Sequence, residues 1–68
     1  MRGKIVKWID NLNGGYGFIL GDDGNRYFCH WTKMFFTPHE HDRVRFDILV
    51  NERGYEAINV EREVSDVR

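Results

Sequence analysis

Tyr16-Gly17-Phe18-Ile19-Leu20-Gly21-Asp22-Asp23-Gly24-Asn25-Arg26-Tyr27-Phe28-Cys29-His30-Trp31 is the stretch whose reading decides how this chain folds. Two aromatic runs, Gly15 to Ile19 and Tyr27 to Trp31, flank the link Gly21-Asp22-Asp23-Gly24-Asn25, which has strong turn chemistry. The runs are therefore expected to pair as antiparallel strands. Successive side chains of a strand point to opposite faces. Tyr16 and Phe18 then share one face with only Gly17 between them, and Phe28 and His30 share one face of the neighbouring strand. The four rings form a flat patch, and a flat patch of rings is a stacking surface for unpaired bases. Gly17, Ile19, Cys29 and Tyr27, which alternate with them, can supply a core wall on the opposite face, but alternation by itself does not decide which of the two faces is buried.

Three more strand signals lie outside this pair. Lys4 to Ile9 holds the strand formers Ile5, Val6, Trp8 and Ile9. Arg43 to Val50 alternates cleanly, with Val44, Phe46 and Ile48 facing one way and Arg43, Arg45 and Asp47 the other. After the hairpin turn Asn51-Glu52-Arg53-Gly54, a last strand runs from about Tyr55 to Glu61, with Ala57, Ile58 and Val60 as its core candidates. Thr32 to Phe36 reads as a short helical turn, Thr37 to Asp42 as loop, and Arg62 to Arg68 as a charged, fraying tail. The class is all-β. Five short strands in so small a chain are best satisfied by a closed barrel, because closure hides edges that an open sheet would expose.

Sixty-eight residues make one domain, 1–68, with a core over about residues 3–61. At 15% aromatic content the chain has more rings than a tiny core needs, so some are expected to face outward. One cysteine, Cys29, excludes an internal disulfide and fits a reducing compartment. No hydrophobic run is long enough for a membrane span or a signal core, so a cytoplasmic location and no membrane partner are expected. A net charge of −1 argues against binding dominated by phosphate contacts, though not against base stacking. Lys4, Lys7, Arg26 and Lys33 gather near the aromatic runs, while acidic residues gather at Asp22-Asp23 and from Glu56 to Asp66.

The motifs, in order, resemble the cold-shock domain family. Lys4-Ile5-Val6-Lys7-Trp8-Ile9-Asp10 matches its opening Gly-x-Val-Lys-Trp-Phe-Asn stretch. Gly14-Gly15-Tyr16-Gly17-Phe18-Ile19 matches Lys-Gly-Phe-Gly-Phe-Ile, and Tyr27-Phe28-Cys29-His30-Trp31 matches Val-Phe-Val-His-Phe. Arg53-Gly54 and Ala57-Ile58-Asn59-Val60 resemble the family's last turn and strand. The resemblance covers Gly3 to Val60. It implies a five-stranded antiparallel barrel of the oligonucleotide-binding (OB) type that binds single-stranded RNA or DNA. It also implies that Trp8, Tyr16, Phe18, Phe28, His30 and Trp31 stack on bases and that Lys7 contacts backbone or bases. Arg53 falls where the family often has a basic residue. Phe36, with Phe35 as the alternative, stands in for the aromatic of the loop after the third strand.

Three departures bear on affinity. Ile9 replaces a phenylalanine, Gly14 replaces a lysine after a loop one residue longer, and Arg26 replaces an acidic residue. Arg26 is the candidate to supply the charge that Gly14 lacks.

Other constellations are weaker. His39-Glu40-His41 lacks a clear third ligand, so no metal site is expected. Cys29 lacks a base or a cationic setting that would make it a nucleophile. No catalytic dyad or triad is present, so the chain is not read as an enzyme and needs no cofactor. A monomer is expected, with a dimer as the alternative. The competing function is a protein-interaction or self-associating barrel that uses the same ring patch.

Overall fold

The computed structural model describes residues 1–12 and 14–63. Five strands follow in order: β1 Arg2–Ile9, β2 Tyr16–Gly21, β3 Arg26–His30, β4 Arg43–Asn51 and β5 Gly54–Arg62. A 3-10 turn, Trp31–Lys33, comes directly after β3. The strands close into a barrel in the order β1-β2-β3-β5-β4. Arg62, at the head of the expected tail, is the last residue of β5, and the tail from Val64 on lies outside the described residues.

Four seams of the barrel are antiparallel, and the fifth, β3 to β5, is parallel. An odd ring of strands cannot alternate direction at every seam, so one parallel contact is obligatory. It is short, pairing Phe28 with Glu56 and Cys29 with Ala57.

The core is built from alternate positions of every strand. Ile5, Ile19, Tyr27, Cys29, Val44, Phe46, Ala57 and Val60 are buried, with Trp8, Met34 and Phe36 packed against them. Two bulges set which residues enter it. In β1 an extra residue falls between Ile5, opposite Ile19, and Lys7, opposite Phe18. This turns Ile5 inward and Lys7 outward although both are odd-numbered. In β5 the extra residue falls where Asn59 adopts φ 52°, so that Ala57 and Val60 both face inward. Ile58 is only half-buried as a result.

Ile48 departs from its expected burial. It lies on the same face as Val44 and Phe46, but is 40% exposed. Alternation decides the face, whereas burial needs something to lie over it. Among the described residues the β3–β5 ladder pairs only Glu56 and Ala57, with Tyr55 adding a ring contact to Tyr27 at 5.7 Å, so the outer part of the β4–β5 hairpin is only partly covered.

The turn between the platform strands is held by Asp23. Its carboxylate accepts from the backbone N–H and the side-chain amide of Asn25 and from the Tyr27 hydroxyl. The Tyr27 bond, followed by the Asn25 backbone, holds the Asp23 carboxyl below its ordinary value. Stability from this source is present above about pH 4 and is lost as pH falls through the lower folded-state value. Tyr27→Phe keeps the ring against Phe46, at 5.0 Å between centroids, and removes the donor. The stability gap between wild type and Tyr27→Phe should be constant near neutrality and shrink below about pH 4, as read by thermal melts across pH. A gap independent of pH would mean that the hydroxyl does not act through the Asp23 charge.

Cys29 is fully buried, and burial pushes its thiol up to about 12. It fills space in the core. No helix among the described residues is long and apolar enough to cross a membrane.

Candidate nucleic-acid interface

Cross-strand register arranges the outer face of β1, β2, β3 and β5 in rows. The central row reads Lys7, Phe18, Phe28, Glu56. The row toward the strand ends that carry Trp31 reads Ile9, Tyr16, His30, and the row on the other side reads Lys4, Leu20, Arg26. Phe28 is the hub. Its ring lies 5.9 Å from Phe18 in an edge contact and 6.0 Å from Tyr16, tilted by 32°. It remains 37% exposed. Tyr16, Phe18, Phe28 and His30 thus share one outer face, as alternation predicts.

A groove of about 770 Å³ runs beside Phe18, Phe28 and His30 to Lys33, Arg53 and Tyr55. Lys33, which the sequence places near the aromatic runs, lines this groove, as do Tyr55 and Glu56, which the sequence did not single out. The β4–β5 turn reaches the rings only through the parallel seam, and nothing local in the sequence signals that seam. His30 closes β3 and caps the 3-10 turn. Its Nδ1 accepts from the Thr32 backbone N–H at 3.4 Å and lies 2.9 Å from Thr32 Oγ1. With Nδ1 as acceptor, the neutral ring carries its proton on Nε2, which is left as a donor.

Trp8, Trp31 and Phe36 lie around a second groove of about 440 Å³. Simple alternation turns Trp31 inward. The strand ends at His30, however, and the 3-10 turn re-aims Trp31 outward, where it is 44% exposed with its ring 6.1 Å from His30. The β1 bulge places Trp8 opposite Gly17, with the indole lying across that glycine and its Nε1–H donating to Asp10 Oδ1 at 2.9 Å. Phe36 packs on the end of the barrel with the Arg62 guanidinium 5.0 Å above its ring, while Phe35 is 66% exposed. The two grooves meet at the His30–Trp31 contact.

Gly14 has a structural reason to stand where the family has lysine. Its φ is 115°, and a Cβ there would sit 2.6 Å from the Trp31 ring. The indole occupies the space that a side chain at this position would need.

Ion pairs divide the cations of the barrel by position. Arg2, Arg43, Arg45 and Arg62 are engaged with carboxylates, Arg43 through a two-point contact to Asp22. All four belong to β1, β4 and β5. Lys4, Lys7, Arg26, Lys33 and Arg53 make no ion pair among the described residues, and all five lie on or beside the ring-bearing face. Glu52 and Glu56 line the same groove as Lys33 and Arg53, so cations without a salt bridge and two carboxylates both border the rings of this chain of net charge −1. His39 and Glu40 are occupied locally: His39 Nδ1 is 3.9 Å from Asp42, and Glu40 accepts the Trp8 backbone N–H at 3.2 Å.

The family model described as the 'cold-shock' DNA-binding domain matches residues 1–63. Cold shock protein 1 of Lactiplantibacillus plantarum is 42% identical over 64 residues, covering 88% of this chain and 96% of the relative. The cold shock-like protein of Thermotoga maritima is also 42% identical over 64 residues, covering 88% and 94%. Cold shock protein CspB of Bacillus caldolyticus is 43% identical over 63 residues, covering 87% and 92%.

Proposed function

The chain belongs to the cold-shock DNA-binding domain family, whose members bind nucleic acids, and from that membership we propose that it holds single-stranded RNA or DNA unpaired by stacking bases on Phe18, Phe28, Tyr16 and His30. Trp31, Trp8 and Phe36 carry the next bases along the second groove. Lys7, Arg26 and Arg53 contact phosphates at the rim. The observation that carries this reading is the shared outer face of Tyr16, Phe18, Phe28 and His30, with Phe28 exposed, beside Lys7, Arg26 and Arg53, which make no ion pair among the described residues.

The mechanism is thermodynamic. A base stacked on a ring is withdrawn from pairing, and each such contact contributes about 1–3 kcal/mol. Three or four together outweigh a weak hairpin without an energy source. The chain would then act as an RNA chaperone or as a regulator of transcription or translation. Chemistry on the nucleic acid is not required, and the family is not an enzymatic one.

Tryptophan fluorescence tests the proposal, because Trp8 and Trp31 border the site. Short pyrimidine-rich oligonucleotides should quench the emission saturably. If three phosphates are contacted, the logarithm of affinity should fall against the logarithm of salt with a slope of about −2. Absence of quenching, with folded protein confirmed by circular dichroism, would overturn the reading and leave the rings as a surface for a protein partner.

A further inference from the structure

Glu56 stands next to the central ring of the platform, and stacking makes no use of it. In the β3–β5 seam it is the register partner of Phe28. In the β4–β5 ladder it lies opposite Leu49, which is exposed. Glu56 lines the same groove as Phe18, Phe28 and Arg53. Its carboxylate is positioned rather than loose. Asn51 Nδ2 donates to Glu56 Oε1 at 3.1 Å, and Asn51 Oδ1 in turn accepts the Arg53 backbone N–H at 2.9 Å. A carboxylate has about four lone-pair sites. Asn51 takes one, and Glu56 makes no ion pair among the described residues.

The central row is polar along its length. Lys7 is at one end, two rings are in the middle and Glu56 is at the other end. Along this row Lys7 attracts a phosphate and Glu56 repels one, while Lys33 and Arg53 line the same groove as Glu56; a nucleotide stacked on Phe28 with its sugar-phosphate toward Lys7 turns its base edge toward the carboxylate. Neighbouring strands are about 4.8 Å apart, which puts that edge within hydrogen-bond reach. The carboxylate only accepts. Guanine presents two adjacent donors on its pairing edge, N1–H and N2–H₂, and matches both oxygens. Cytosine and adenine each offer an amino group beside a ring nitrogen acceptor. Thymine and uracil offer one imino N–H between two carbonyls that the carboxylate repels.

We propose that Glu56, held by Asn51 beside Phe28, makes this subsite selective for guanine. The assignment rests on the proposed binding of unpaired nucleic acid to the ring platform, and the test separates the two. A seven-residue thymidine oligonucleotide would carry a single guanine moved through each position in turn, with binding read by tryptophan fluorescence. One guanine register should bind the wild-type protein about tenfold more tightly than the all-thymidine strand. Adenine or cytosine in that register should gain less. In Glu56→Gln the amide oxygen can still accept from Asn51, which keeps the local structure, but the side chain now offers a donor as well. The guanine preference should fall to about twofold or less, even if removal of a negative charge tightens all strands uniformly. A guanine scan that is flat in the wild type while all-thymidine binds would overturn the assignment and leave the platform standing. A preference that survives in Glu56→Gln would also overturn it. Failure of every strand to bind would overturn the platform and the assignment together.

Discussion

Gly17→Ala is expected to leave the domain largely unfolded at 25 °C. Gly17 sits between the platform residues Tyr16 and Phe18, facing inward where β1 crosses β2. A Cβ there would meet the Lys7 carbonyl oxygen at 2.2 Å, Trp8 Cε3 at 2.6 Å and Trp8 Cα at 3.1 Å. Two of these are backbone atoms of the paired strand, so a side-chain rotation cannot relieve the clash. β1 would have to lift from β2 in the middle of their ladder. Overpacking of this kind costs about 3 kcal/mol or more. A core this small rarely supplies more than about 3–5 kcal/mol in total. Gly24→Ala is the control. Its φ of 87° imposes strain, but no atom lies within 4 Å of the new methyl, so the loss should be only about 1 kcal/mol. Urea melts of the two variants would decide the matter. A Gly17→Ala protein that melts close to the wild type would show that β1 does not depend on this close approach.

Phe28→Ala should weaken binding of a short single-stranded oligonucleotide by about 10- to 100-fold while leaving the fold in place. Phe28 touches both Phe18 and Tyr16, so its loss removes one stacking surface and frees the two rings that flank it. The ring already meets solvent, and Cys29 and Tyr27, not Phe28, form the inner wall of β3. The accompanying loss of stability should therefore be about 1 kcal/mol. Phe18→Ala should behave in the same way with a somewhat smaller loss of affinity, because it removes one ring–ring contact instead of two. Fluorescence titration gives the affinity and a urea melt gives the stability. Wild-type affinity in Phe28→Ala would remove the platform from the mechanism. Global unfolding would mean that the ring belongs to the core.

The strand pair β2–β3 was legible because its information is local. Alternation of Tyr16, Gly17, Phe18 and Ile19 against Tyr27, Phe28, Cys29 and His30 decides which side chains share a face without reference to the rest of the chain, and the family resemblance decided which of the two faces is outward. The Asp23 turn joins them at the register in which Tyr16 opposes His30 and Phe18 opposes Phe28. Trp8 and Trp31 were harder to read. Trp8 depends on the β1 bulge, and Trp31 depends on the strand stopping one residue early, and neither has a residue-type signature.

From sequence alone, then, come the all-β class, the five strands, the hairpin of rings and the family likeness. All of these follow from side-chain periodicity and turn chemistry within a few residues. Tertiary structure decided which strands meet. The obligatory parallel seam brings Glu56 beside Phe28 and Arg53 to the groove, although both lie more than twenty residues farther along the chain. The pairing of Arg2, Arg43, Arg45 and Arg62 with carboxylates leaves the five cations near the rings without an ion pair among the described residues. A composition counts charges and rings. Only closure of the barrel determines which of them face one another, because the contacts that decide it join segments that are distant in sequence.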